Sequence, residues 1–146
     1  MGPAALSARI KSKALALGFS GCGILKADPI VEFTDRLEER ISRFPASQAL
    51  YEPLRPFGFP RERAGWARSL IICTLPYNRY RIPQGLDHYF GRIYLCDMRV
   101  PGSPEFEKIA ALESFLKEQG MQTFGGLIAA RWAAAKAGLG HFGSNN

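Results

Sequence analysis

Three glycines near the end of the sequence have a spacing that is found in ligand-binding loops. Gly138, Gly140 and Gly143 spell G-x-G-x-x-G. Glycines let the backbone approach a ligand closely, and successive N–H groups can hold an anion. In a dinucleotide-binding fold such glycines follow a strand and open a helix. Here they follow an alanine-rich segment that predicts a helix, so the dinucleotide interpretation fails. Two other interpretations of the glycine spacing remain: a helix C-cap with a glycine turn, or a contact with a different ligand.

A second candidate for chemistry is a stretch in which arginines and aromatic residues alternate. Only Glu62 opposes the positive charge within residues 55–81. Arginine side chains grip phosphate groups, and aromatic faces stack on bases or on a flat macrocycle. The alternative is a solvated basic loop whose aromatic side chains turn into the core. The candidate contacts for an anion or RNA are Arg55, Arg61, Arg63, Arg68, Arg79 and Arg81.

The cysteines and histidines do not have the spacing of a metal site. Cys22, Cys73 and Cys96 lie far apart, without the C-x-x-C spacing of zinc sites or the close cysteines of ferredoxin clusters. His88 and His141 are isolated and are expected to be structural or exposed. We therefore expect buried free thiols, no metal site, no iron–sulfur cluster in this chain and a reducing, cytoplasmic setting.

Composition and charge narrow the class of protein. The sequence has 146 residues, 47% of them hydrophobic, so a single domain with its own core (residues 1–146) is expected. The formal net charge of +6 favours an anionic partner such as RNA, a phosphorylated cofactor or a membrane surface. No signal peptide and no run of 18 apolar residues is present, which argues against a membrane location.

The elements that must position these residues alternate along the chain. Apolar periodicity and capping residues predict helices at 4–17, 30–44, 104–119 and 128–137. Short apolar runs predict strands at 22–25 and 69–75, a third at 122–124, and one more near 93–96. The stretches 45–67 and 76–102 are irregular, and their aromatic residues favour ordered loops that pack on the domain. This alternation predicts an α/β fold: a mixed, partly parallel sheet flanked by helices.

The last of these segments resembles a known family. Arg131 to Asn145 has the pattern R-x-A-A-x-x-A-G-L-G-x-x-G-x-N. This pattern is similar to a segment near the end of the N-terminal domain of epoxyqueuosine reductases, which are cobalamin-dependent iron–sulfur enzymes that act on tRNA. Two further segments fit the family: residues 10–25, and residues 67–73 with Tyr77 after them.

The resemblance implies a nitroreductase-like, corrinoid-binding α/β domain. It places four residues near the cofactor, Gly138, Gly140, Gly143 and Asn145. It also implies that the arginine and aromatic stretch faces a corrinoid or a tRNA. A lysine common in the family between the last glycine and the asparagine is replaced here by Ser144, with the loss of a positive charge.

Other departures from the family limit the activity that the resemblance implies. The family's proton-donating aspartate, seven residues before the arginine that matches Arg131, corresponds to Phe124. The family's Asp-Tyr-His motif falls near residues 97–99, where only Asp97 is retained. The cysteine-rich ferredoxin domain that follows in the family is missing. This chain is therefore expected to be incomplete as a reductase and, if an enzyme, to need an external electron donor.

Two functional hypotheses follow. The first is a cobalamin-binding-type domain whose electrons come from a separate iron–sulfur protein. The second is a non-catalytic module that binds RNA or a phosphorylated small molecule through the loops at 55–81. The sequence stops directly after the glycines, which favours a truncated chain. A sheet left short would expose an unpaired edge, so a homodimer or a partner complex is expected.

Overall fold

The structure is a computed structural model, which describes residues 2–89, 91–126 and 128–143. It contains helices and strands, as the α/β prediction requires. The helices are α1 (Pro3–Ala16), α2 (Val31–Arg43), α3 (Gln48–Tyr51), α4 (Pro60–Arg63), α5 (Pro104–Glu118) and α6 (Ala130–Lys136). Three 3₁₀ helices occupy Pro45–Ser47, Glu52–Gly58 and Arg92–Leu95. The strands are β1 (Gly21–Lys26) and β2 (Ser69–Thr74). No helix in the described ranges is long and apolar enough to cross a membrane.

The two strands pair with each other in antiparallel orientation. The Ser20 N–H donates to the Thr74 carbonyl at 2.8 Å beyond one end of the pair, and the Ala27 N–H donates to the Arg68 carbonyl at 3.0 Å beyond the other. The expectation of a partly parallel, mixed sheet is therefore wrong for the residues that are described. The antiparallel pair needs no crossover helix between neighbouring strands, so helix–strand alternation alone did not determine the strand direction.

Two of the predicted strands are replaced by other backbone conformations. Residues 92–95 form a 3₁₀ helix, because the Tyr94 N–H donates locally to the Gly91 carbonyl at 3.0 Å instead of to a neighbouring strand. Residues 122–124 have no regular structure. There Phe124 is 53% exposed and two glycines follow, so this short segment has no buried face on which to pair.

The chain divides into two compact units. The first unit comprises Met1–Cys22 and Cys73–Thr123, and the second comprises Gly23–Ile72 and Phe124–Asn146. In the first unit α1 packs against α5. The buried apolar residues of the two helices are Ile10, Ala14, Leu112 and Leu116, which follow the apolar periodicity that predicted both helices. The prediction of a single domain stays a prediction.

The second unit is built around a small apolar core. Ile30, Ile72, Ala129 and Ala133 are buried together, and side chains from both strands pack against them. The proline-rich stretch at 45–67 packs on this unit, but it is not the irregular loop that was predicted, because most of it folds into α3, α4 and two 3₁₀ helices. Gly58 in this stretch accepts a hydrogen bond from the Ile30 N–H at 2.8 Å, which ties the stretch to the start of α2.

Candidate functional site

The first glycine of the predicted ligand loop ends a helix. Gly138 follows α6 with φ +70°, a left-handed conformation that favours glycine. Its N–H donates to the Ala135 carbonyl at 3.0 Å, and the Leu139 N–H donates to the Ala134 carbonyl at 2.9 Å. These two bonds form a Schellman motif, which satisfies carbonyl groups at the helix end. The helix-cap interpretation of Gly138 is thus observed, and it fully explains why a glycine stands there.

The same explanation does not apply to Gly140, which does not have a positive φ. Gly140 and Gly143 are exposed, and a Cβ added at Gly140 would meet nothing within 4 Å. The backbone at Gly140 is therefore open to a ligand. Beside it the rings of Trp132 and Phe142 lie 4.6 Å apart between centroids, tilted by 47°. Asn145, the fourth predicted cofactor contact, lies outside the described residues.

The second unit contains four of the six candidate arginines, and two of these are paired. Arg55 donates two hydrogen bonds to the Glu38 carboxylate, at 2.7 and 2.8 Å. These contacts hold the pKa of Glu38 below its usual value. Arg61 lies 3.6 Å from an Asp28 carboxylate oxygen. Both arginines are thus partly neutralised, which reduces their attraction for an anionic ligand.

The other two candidate arginines of the second unit are exposed. Arg63 ends α4 and Arg68 directly precedes β2. Neither has a carboxylate within 4.0 Å in the part of the chain that the structure describes. Trp66 lies between them in the sequence and is 42% exposed. This short segment keeps the combination of free guanidinium and aromatic groups that the sequence predicts for the whole stretch.

The remaining two candidate arginines, Arg79 and Arg81, belong to the first unit. Arg81 is exposed and pairs with no carboxylate among the described residues. Arg79 is engaged with protein groups: its guanidinium donates to Glu105 and, at 3.2 Å, to the Tyr80 hydroxyl. Three of the six predicted contacts are therefore occupied by carboxylates.

The Arg79 contact reveals a functional candidate that sequence reasoning did not find. Glu105, the second residue of α5, is only 1% exposed. Its Oε1 accepts from the Tyr80 hydroxyl at 2.7 Å and from Arg79. The partial positive charge at the N-terminus of α5 also stabilises this carboxylate. Glutamate is seldom fully buried unless it is paired, so the arginine and the tyrosine are part of the reason that it can lie here.

Glu105 forms part of the wall of a cleft of about 320 Å³ in the first unit. This volume is at the lower end of the range of about 300–1,000 Å³ that is typical of small-molecule sites. The wall also contains Tyr80, Tyr94, Asp97, Val100 and Ser103. A cleft of this size suits a small ligand.

Hydrogen bonds fix the rim of the cleft. Ser103 caps α5 by accepting from the Phe106 N–H at 3.1 Å, and its hydroxyl donates to the Asp97 carbonyl at 3.0 Å. The Asp97 carboxylate accepts from the side chain and the backbone N–H of Arg99 at 2.9 Å. These contacts lower the pKa of Asp97 to about 2. Asp97 therefore bears a negative charge at neutral pH.

Two further positions from the sequence analysis are also placed by the structure. The ring of Phe124 lies against Gly126 and the residue is 53% exposed. The three cysteines are free and half-buried. Burial raises the pKa of the Cys22 thiol and raises that of Cys73 to about 12. Within the described ranges no cluster of three or more metal-ligating side chains occurs.

Comparison with protein-family models, with curated proteins and with solved structures gives no match for this chain.

Proposed function

We propose that this chain is a corrinoid-binding-type domain related to the epoxyqueuosine reductases, and that it is incomplete as a reductase on its own. The observation that favours this function is the glycine segment after α6. Gly140 is exposed and has open space where a side chain would lie, so a large flat ligand can reach the backbone there. The proposal includes a nitroreductase-like arrangement of the domain.

The residues of this chain suit binding better than proton transfer. Gly138, Gly140 and Gly143 would lie against the ligand, and the tilted Trp132–Phe142 pair would provide an apolar surface beside it. A bound corrinoid would supply a redox-active cobalt. Phe124 supplies no proton, so neither electrons nor a proton come from the positions that the family uses. The proposal therefore requires a separate iron–sulfur protein as electron donor, and a cytoplasmic homodimer or complex as the working form.

A titration with cob(II)alamin, followed by EPR and visible spectroscopy, tests this function. We expect a saturable change in the cobalt signal that persists at high salt, because a large apolar contact is screened less than an ion pair. The key variant is Gly140→Leu, whose Cβ would meet nothing within 4 Å and whose side chain should block approach to the backbone. Gly65→Leu is the matched control, since Gly65 is also exposed and has only one backbone atom near, at 3.8 Å. No binding at millimolar cobalamin, or equal binding by the two variants, would reject the proposal.

A second candidate function is supported by the exposed segment at 63–68. Arg63 and Arg68 flank Trp66, and the described residues place no carboxylate against either guanidinium. Guanidinium groups bind phosphates, and an exposed indole stacks on an unpaired base. This segment can therefore bind single-stranded RNA or a phosphorylated small molecule without any catalytic step.

Fluorescence anisotropy with a short single-stranded RNA at several salt concentrations tests this second function. Each phosphate contact with a single strand contributes about 0.7 to the slope of log K against log salt. The double variant Arg63→Ala/Arg68→Ala should therefore lower the slope by about 1.4. The control is Arg36→Ala/Arg40→Ala, which removes the same charge from exposed positions on α2. An equal loss in both variants would show that only net charge matters and would refute a site at 63–68.

A further inference from the structure

The pairing of the two strands brings two cysteines opposite each other. The Ala27 N–H donates to the Arg68 carbonyl at 3.0 Å. Counting five residues from this bond, backwards along β1 and forwards along β2, reaches Cys22 and Cys73. Hydrogen-bonded and non-hydrogen-bonded pairs alternate along an antiparallel ladder. An odd number of steps therefore makes the two cysteines a non-hydrogen-bonded pair, the kind in which the side chains lie closer together.

The contact between the two thiols agrees with this register. The Ser20 N–H donates to the Thr74 carbonyl at 2.8 Å, which is one residue out of the register counted from Ala27. One extra residue at the start of β1, as in a β-bulge, accounts for the difference. The Cys73 thiol hydrogen-bonds to the sulfur of Cys22. Successive side chains of a strand point to opposite faces, so this contact requires both cysteines to lie on one face.

The backbone spacing of such a pair suits a disulfide bond. The Cα atoms of a non-hydrogen-bonded pair are about 4.5 Å apart. Disulfides join residues whose Cα atoms are about 4.4–6.8 Å apart. Both cysteines are free and only half-buried, so a small molecule can reach a sulfur atom. Cys96, the third cysteine, belongs to neither strand and serves as an internal reference.

The two thiols have unequal surroundings, although both belong to the first unit. Burial raises the pKa of Cys22, but the hydrogen bond from Cys73 and the positive charge of Lys11 on α1 oppose that rise. Burial also raises the pKa of Cys73, and the neighbouring Cys22 raises it further, to about 12. Because the thiolate is the nucleophile in disulfide exchange, Cys22 is the thiol that attacks first.

We propose that Cys22 and Cys73 form an oxidisable dithiol, which a small-molecule disulfide such as glutathione disulfide converts into a covalent bond between β1 and β2. The Cys22 thiolate attacks one sulfur of glutathione disulfide and releases a first glutathione thiolate. Cys73 then loses its proton to water, and its sulfur attacks Cys22 and releases the second glutathione thiolate. The two cysteines lose two electrons, and glutathione disulfide becomes two glutathione molecules, which take up the two protons.

The role of this dithiol does not rest on binding of a corrinoid or of RNA. In a reducing setting, protein disulfides are usually transient and either catalytic or redox-sensing. Once Cys22 is part of a mixed disulfide it is uncharged, so its charge no longer raises the pKa of Cys73. The neighbouring position of Cys73 then favours closure of the protein disulfide over attack by a second thiol from solution.

The test exposes the full reduced chain to glutathione disulfide and glutathione in several ratios. After quenching with acid and alkylation, mass spectrometry of peptides gives the state of each cysteine. We expect a single disulfide between Cys22 and Cys73 and a free thiol at Cys96. If excess glutathione disulfide leaves Cys22 and Cys73 reduced, or if the first disulfide includes Cys96, the proposal is overturned.

The same reaction in concentrated urea shows whether the strands select the two cysteines. Cys73 is closer in sequence to Cys96 than to Cys22. Loop closure becomes less probable with about the 3/2 power of length, so in urea the Cys73–Cys96 disulfide should form about threefold more often. A preference for Cys22–Cys73 in urea equal to that in water would contradict selection by strand pairing.

Three serine variants test the order of attack, with circular dichroism to show that each is folded. Cys73→Ser should stop at a mixed disulfide between Cys22 and glutathione, because the second thiol is missing. In Cys22→Ser, glutathione should add to Cys73 several-fold more slowly, because burial keeps that thiol protonated. Cys96→Ser is the matched control and should form the Cys22–Cys73 disulfide at the rate of the parent. Equal rates of glutathione addition to Cys22 and to Cys73 in the first two variants would refute the assigned order.

Discussion

Replacing Gly138 by alanine isolates the energetic role of the helix cap. Gly138 has φ +70°, and an added Cβ would meet nothing within 4 Å. The substitution therefore creates no collision and changes only the backbone free energy. An L-residue in the left-handed region costs roughly 1–2 kcal/mol, and alanine offsets part of this by restricting the unfolded chain. We expect Gly138→Ala to lower the free energy of unfolding by about 1 kcal/mol.

Urea unfolding, followed by circular dichroism, measures this change. With a slope of about 2 kcal/mol per M, the midpoint should fall by about 0.5 M at unchanged slope. Gly138→Asn should cost less, because asparagine tolerates the left-handed region better than alanine. Gly140→Ala is the control and should stay within about 0.5 kcal/mol of the parent, since Gly140 does not have a positive φ and has open space around it. A midpoint for Gly138→Ala equal to that of the control would refute the capping argument.

Three further predictions concern packing and protonation. Gly23→Ala should destabilise the protein by about 1–3 kcal/mol in the same urea assay, because the added Cβ would collide with the Cβ of Ala137. An unchanged urea midpoint would contradict this close packing. The pKa of the Asp97 carboxyl should be about 2 in a titration followed by carbon-detected NMR. The stabilisation from its contact with Arg99 is therefore present above pH 3.8 and is lost as the pH falls through about 2. Arg99→Ala should raise this pKa, because the variant removes the hydrogen bonds that lower it. Because burial raises the pKa of Cys73 to about 12, this thiol should react with iodoacetamide at pH 8 far more slowly than free cysteine, and an equal rate would show that it is ionised.

Most of the regular elements could be predicted from local patterns in the sequence. Helices α1, α2, α5 and α6 and strands β1 and β2 lie within a few residues of the predicted ranges. Each helix has apolar periodicity, and α5 also begins with Ser103 and Pro104, whose capping role the structure confirms. The strand direction and the short helices at 45–63 could not be predicted in this way. The short helices are tied to the rest of the second unit by hydrogen bonds such as that from the Ala129 N–H to the Phe57 carbonyl, and the strand direction is set by the pairing of β1 with β2; both join residues far apart in the sequence.

The candidate sites show the same division between local and long-range information. A local pattern located the glycine at the end of α6, because a helix stop and a left-handed glycine are both encoded within a few residues. Glu105 could not be recognised in this way, because its partners Arg79 and Tyr80 precede it by more than 20 residues. In the sequence it has only the appearance of an acid in the first turn of a helix. Only the fold shows that this acid is buried and borders a cleft.

Net charge predicts the chemistry of a surface only where the charges are unpaired, and this chain contains both paired and unpaired arginines. Arg55 and Arg79 contribute to the excess of positive charge, but each binds a glutamate, so neither is available to an anion as the bare count suggests. Arg63 and Arg68 have no such partner among the described residues. RNA binding through several phosphates should therefore weaken steeply with salt. A salt series with RNA on the parent and on the Arg63→Ala/Arg68→Ala variant thus distinguishes binding at a local site from general attraction to a basic protein.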